Sequence, residues 1–210
     1  SLTDYSVYAR GELATTRGGA NSYEAGVAVG GPIVQDKLGF RASFWQRTDG
    51  GYIDHLNTQT GRLERANANE QRTIAARFAL AFKPVEDLTI TPSVFYQRIN
   101  LDDTSTVWEP TSRDPKYNYL AYTDASKDIY GQAYPLRQPF HQNFILPALK
   151  IEYNGPGFDV ISDTSYYRRH ENGLTDFTPF EVPMWTSFFA PPAVTLPKNP
   201  RDVAPATDQQ

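Results

Sequence analysis

The 210 residues carry a net charge of −4 and a pI near 5.4, which bounds the chain at one or two domains and gives it no basic footprint for nucleic acid. The absence of cysteine excludes disulfides and thiolate metal sites, and no apolar run approaches the roughly 20 residues of a membrane-spanning helix. Thirteen Tyr, twelve Phe, 16 Pro and 14 Gly suit many aromatic strands and turns, and a mean hydropathy of −0.53 is compatible with barrel strands that alternate apolar and polar residues.

Ser1-Leu2-Thr3-Asp4 enters a strand directly, with no leader, and residues 200–210 trail off in a polar, proline-containing run; both ends read as cuts within something larger. Residues 4–15 alternate Tyr5, Val7, Ala9, Gly11 and Leu13 against Ser6, Tyr8, Arg10 and Glu12. A Gly-Gly turn at Gly18 leads to residues 22–33, where Tyr23, Ala25, Val27 and Val29 share a face opposite Glu24. Gln35-Asp36-Lys37 is a short polar connection, and residues 38–47 set Leu38, Phe40, Ala42 and Phe44 against Arg41, Ser43 and Trp45. Arg41 at mid-strand demands water on its side, from an outer face or from a polar lumen.

Residues 49–71 form a polar, Asn-rich loop with a turn signal at Thr60-Gly61. Residues 73–83 place Ile74, Ala76, Phe78, Leu80 and Phe82 opposite Arg77 and Lys83; Ala and Leu favour helix, but the period of two decides for strand. After a turn at Glu86-Asp87, residues 88–99 run back with Leu88, Ile90, Pro92, Val94 and Tyr96 on one face. Pro92 fits only at a bulge or a weak point of the ladder. Residues 100–142 make a long aromatic insert. Residues 143–153 resume strand, with Ile145, Pro147, Leu149, Ile151 and Tyr153 opposing Leu146, Lys150 and Glu152. A turn at Gly155 precedes a seventh strand, 158–169, in which Val160 and Ile161 compete for the apolar face; from His170 onward the chain reads as loop.

Short turns at Gln35, Glu86 and Gly155 alternate with long loops, so one end of the sheet is trimmed and the other elaborated. Outer-membrane barrels show that asymmetry, and strands of about 9–12 residues suit a tilted crossing of the apolar layer. Tyr5, Tyr23, Tyr96 and Tyr153 fall near strand ends, where an aromatic girdle sits. The expected fold is all-β: an antiparallel membrane β-barrel segment of about seven long strands, with short periplasmic turns and long extracellular loops.

The glycine-bearing second strand, GGPIVQDKLGFRASF, TDGGYID, PVEDLTITPSVFYQR and VISDTSYYRR, in that order and spacing, resemble TonB-dependent receptors of bacterial outer membranes. The likeness covers most of the strands and none of the long loops. It implies that residues 1–210 are the N-terminal portion of a barrel of about 22 strands, without its plug, its TonB-contacting segment and its closing strands. It further implies active uptake of a scarce nutrient, most often a ferric siderophore and otherwise cobalamin or a glycan. The implied partners are outer-membrane lipid, the plug and TonB complex of the full-length protein, and a small-molecule substrate.

On that resemblance the loop aromatics become candidates for substrate contact: Trp108, Arg113, Tyr117, Tyr119, Tyr122, Tyr130, Tyr134 and Trp185. The same rings would also serve simply to pack loops over the barrel mouth. Arg10, Glu12, Glu24, Arg41, Arg77, Lys150 and Glu152 are the expected lumen-facing polar residues, either pairing with a plug or keeping a wet lumen polar. His55, His141 and His170 are far apart and match no metal-ligand spacing, and the acidic Asp87 and Asp102-Asp103 are ordinary at turns. No nucleophile elbow, metalloprotease helix or phosphate loop is present, so neither catalysis nor a cofactor is expected. Two other readings fit the pattern: a passive porin-type channel, and a soluble glycan-binding β-protein.

Overall fold

The computed structural model describes residues 2–108 and 122–178, together with the backbone of 206–209. Apart from one 3₁₀ turn at Ala125–Lys127, its elements are all strands. In chain order they are β1 (Ser6–Ala14), β2 (Ser22–Val34), β3 (Leu38–Asp49), β4 (Ile53–Leu56), β5 (Leu63–Arg65), β6 (Gln71–Val85), β7 (Leu88–Leu101), β8 (Tyr130–Gln132), β9 (Phe140–Gly155), β10 (Phe158–Ser165), β11 (Arg168–Leu174) and β12 (Ala206–Gln209). A nine-stranded antiparallel sheet runs β1-β2-β3-β6-β7-β9-β11-β12, with β10 also on β9; β5-β4-β8 forms a small second sheet. The large sheet is open, with β1 at one edge.

All seven strands expected from alternation are present, mostly longer at the loop end. Four of the expectations need correction. The loops 49–71 and 100–142 contain strands of their own, β4, β5 and β8, too short for any period to register. His170 lies within β11 rather than opening a loop, and the polar run near residue 210 supplies β12, which pairs with Glu171–Leu174. The seventh strand is split into β10 and β11, yet its register does not slip: Ser165 lies opposite Ala148 and Arg168 opposite Ile145. The break falls at Pro147, whose carbonyl accepts from Tyr166 N at 3.1 Å but which has no amide to return. Pro92 does the same on the β6 side of β7, where pairing lapses between Ala79–Ser93 and Phe82–Ile90.

Register fixes the faces. Val29, Ala42, Phe78, Val94 and Pro147 stand in one row across five strands, and Val27, Phe44, Ala76, Tyr96 and Ile145 in the next. The opposite face carries Ala28, Ser43, Arg77, Phe95 and Leu146, then Gly30, Arg41, Ala79, Ser93 and Ala148. Val160 lies opposite Tyr153 and so joins the apolar face, while Ile161 lies opposite Glu152 on the other. No layer of described residues covers the apolar face: Phe44, Phe78 and Leu149 remain 46, 44 and 40% exposed. The buried apolar residues among those described are Ile53, Leu56, Ala68, Ala133 and Tyr134, all in the loops at one end.

The two ends of the sheet differ as the spacing predicts. Turns of two or three residues join β2 to β3, β6 to β7 and β9 to β10. They are laced together, with Lys83 N donating to Lys37 O and Asn154 N to Asp87 O. At the far end the TDGGYID segment threads between two others. Ala20 N donates to Gly51 O, Gly50 N donates to Ser22 Oγ, and Asn69 Oδ1 accepts from both Tyr52 N and Ile53 N. A Cβ on Gly51 would collide with the Asn67 carbonyl, and one on Gly50 with Ala20 O. Backbone of that kind moves only at the cost of its neighbours' hydrogen bonds. Gly51→Ala is therefore expected to destabilise the loop end by about 1–3 kcal/mol. Gly11→Ala, which meets only an ordinary 3.9 Å contact, should leave stability unchanged; chemical denaturation followed by near-UV circular dichroism measures both.

Candidate functional site

Polar side chains, more than apolar ones, assemble the loop end. Asp103, fully buried, is the hub. Its Oδ1 accepts from Thr104 N at 2.8 Å and Gln138 N at 2.9 Å. Its Oδ2 accepts from Gln132 Nε2 at 3.2 Å and lies 2.7 Å from His55 Nδ1. A carboxylate can only accept, so the ring nitrogen donates to it when protonated; Gln132 Nε2 also lies 2.8 Å from that nitrogen and would donate to it in the other tautomer. Burial pulls the Asp103 carboxyl upward, but the hydrogen bonds from His55, Gln138 and Thr104 outweigh it and hold the group below its ordinary value. The network continues through Gln138, whose Oε1 accepts from Asp176 N at 3.0 Å, and Asp176 Oδ2 accepts from Leu136 N at 2.8 Å. One carboxylate thus ties β4 to the segment after β7 and, through Gln138, to the segment after β11.

His55 beside a buried carboxylate is half of a catalytic arrangement, but its Nε2 points to the Glu64 carboxylate at 3.8 Å rather than to a hydroxyl. The pair acts as a tie. Among the described residues no cluster of three or more His, Asp or Glu side chains is placed to hold a metal ion, and no helix is long and apolar enough to cross a membrane.

Beside this network lies a cleft of about 610 Å³, walled by Thr104, Tyr134, Gln138, Phe140, Glu171 and Phe177 among others. Of the aromatic candidates, Tyr134 lines it and is 7% exposed; Trp108 stands edge-on to Tyr134 at 5.1 Å, its amide donating to Gly131 O. Tyr122 and Tyr130 belong instead to the loop packing. The Tyr122 hydroxyl donates to Asp54 Oδ2 at 2.6 Å, and burial together with that carboxylate pushes its pKa up to about 12. Tyr130 meets Tyr52 edge-on at 6.0 Å. Arg113, Tyr117, Tyr119 and Trp185 lie outside the described residues.

The polar-face candidates share one side of the sheet. Arg10 pairs with Glu12 at 2.8 Å and with Glu24 at 2.9 Å, and Arg47 pairs with Glu24 at 3.0 Å and Asp49 at 2.6 Å. This ladder separates Glu12 and Glu24, which register sets directly opposite each other. Lys150 pairs with Glu152 at 2.7 Å. Arg41 and Arg77, exposed and diagonal to one another across β3 and β6, have no ion pair among the described residues.

Asp103, Gln132, Gln138, Glu171 and Phe177 are the residues that alternation did not single out. The only signal was the Asp102-Asp103 pair, and a hub cannot be told from a turn carboxylate before its donors are brought to it. Comparison with family models, with characterised proteins and with solved structures finds no match to this chain.

The Asp103 ionisation has a sign that can be checked. Its folded pKa lies below the ordinary 3.8, so its stabilising contribution is present above that value and is lost as the pH falls through the lower, folded one. Near-UV circular dichroism of the loop end is expected to hold from neutrality down to about pH 4 and to collapse below it. Asp103→Asn, which puts an amide nitrogen in front of two of its four donors, should cost about 2–3 kcal/mol at neutral pH.

Proposed function

We propose that this chain is part of the wall of an outer-membrane β-barrel receptor of the TonB-dependent kind, with the loop cluster outside the cell. It would take part in the energised uptake of a scarce small-molecule nutrient. The observation that carries this reading is the uncovered apolar band. On β9 it runs from Ile145 to Tyr153, eight residue steps, or about 26 Å along the strand and roughly 20 Å upright once tilted. Barrel walls present an outward apolar band about 25 Å tall, flanked by aromatic girdles. Here the same face becomes polar at Gln46, Arg98 and Asn143 toward the loops, and at Glu86 and Asp87 toward the turns. Tyr96 and Tyr153 stand near its two limits, and Tyr96 Oη donates to Asn143 Oδ1 at 3.2 Å.

A soluble β-protein would leave this face in water, far beyond the few hundred Å² of contiguous apolar surface that monomers tolerate. The packed loop end favours a gated receptor over an open pore, because loops held by a buried hub present a shaped surface at the mouth. The resemblance in strand order and in the TDGGYID, PVEDLTITPSVFYQR and VISDTSYYRR segments favours the same class.

The chain has no cysteine, so single thiols report placement cleanly. In proteoliposomes Arg77→Cys is expected to react with a water-soluble maleimide, while the adjacent Phe78→Cys stays protected until detergent is added. Equal labelling of the two without detergent, or recovery of the chain as a soluble monomer, would remove the membrane reading.

A further inference from the structure

We infer that the cleft beside Tyr134 binds a neutral saccharide. This deepens the receptor reading by naming the class of its cargo; it rests on that reading for transport, while the binding itself stands on the cleft alone.

Three observations converge. The walls combine the rings of Tyr134, Phe140 and Phe177, and Phe177, 49% exposed, offers a platform at the mouth. Pyranose rings carry an apolar C–H face that lies against such aromatics. Second, the polar groups call for a ligand that both donates and accepts. Gln138 is 9% exposed, and its Oε1 is used by Asp176 N, but its Nε2 has no acceptor. Buried donors are rarely left so. The Thr104 and Thr106 hydroxyls, 2.9 Å apart, can each donate or accept. Glu171 holds Gln142 Nε2 and Arg169 on its Oε1, so its Oε2 faces no partner among the described residues. Sugar hydroxyls suit the Glu171 oxygen and the threonine hydroxyls with the same functional group, and a turn of the Gln138 amide toward the cleft would give its buried Nε2 an acceptor as well.

The third observation is charge. Glu171 and Asp176 are the ionisable acids of the lining, and no Lys or Arg is among its described residues. A ligand bearing carboxylate, sulfate or catecholate would meet two carboxylates and one neighbouring cation, Arg169, already committed to Glu171, and this selects against an anionic ferric chelate. The volume, about 610 Å³, falls within the range of small-molecule sites and leaves room for more than one ring.

The test is titration calorimetry of the whole chain in detergent with cellohexaose, xylohexaose and chitohexaose, beside a polygalacturonate hexamer and a ferric tris-catecholate. Binding of at least one neutral oligosaccharide is expected, with Phe177→Ala weakening it about two- to tenfold and Gln138→Met abolishing it. Gln138→Met also loosens Asp176, so Phe177→Ala, whose half-exposed ring can be removed without opening that network, keeps the outcome readable. No binding of any neutral oligosaccharide, tighter binding of an anionic probe, or affinity unchanged in Phe177→Ala would overturn the inference. The maleimide experiment separates the two proposals. A chain that inserts and binds no sugar loses only the cargo assignment, and one that binds sugar without inserting loses only the receptor reading.

Discussion

An antiparallel ladder that satisfies nearly every backbone group, while leaving one face with nothing of its own to pack against, is the constraint on which this structure turns. The sheet is held by its hydrogen bonds and by register, since many of its apolar side chains remain exposed with no layer of described residues over them. Such a sheet needs a partner medium. On the proposed membrane reading hydrocarbon would meet that requirement along the paired strands, while the open edge at β1 would call for a further strand. The mid-strand prolines Pro92 and Pro147 are tolerated because each interrupts the ladder only locally, between strands otherwise paired over many residues.

The loop end is organised differently. Its apolar core is small, and what unites it is a set of carboxylates and amides used as acceptors for backbone and side-chain donors. Asp103 gathers four donors, Asn69 caps two successive amides, and Asp54 takes Asn67 N and the Tyr122 hydroxyl. Hydrogen bonds to a buried charge are worth more than those between neutral groups. A polar network can therefore fix three segments relative to one another where few oily side chains are at hand.

The polar face is partly balanced within itself. Near the loops, Arg10 and Arg47 bridge Glu12, Glu24 and Asp49, whereas Arg41 and Arg77 stand on a floor of Gly30, Ala28, Ser43 and Ala79 with no carboxylate paired to them among the described residues. Small residues around two cations leave room at mid-sheet for water.

Period-two alternation determined the seven long strands, their pairing order and the division into an apolar and a charged face. That information is local: in a paired strand each side chain's direction follows from its position. Spacing between turn residues likewise determined which end is short and which is elaborated. The choice between Val160 and Ile161 required register against Tyr153 and Glu152, and the joining of β10 to β11 required Pro147 on the neighbouring strand. Only tertiary structure could make Asp103 a hub, bring Tyr134, Gln138, Glu171 and Phe177 to one cleft, or set the short strands β4 and β8 side by side in parallel. These contacts join residues far apart in the chain through single hydrogen bonds and ring edges. Such bonds have no period, and a lone carboxylate or amide reads the same in sequence whether it ends in water or at the centre of a network.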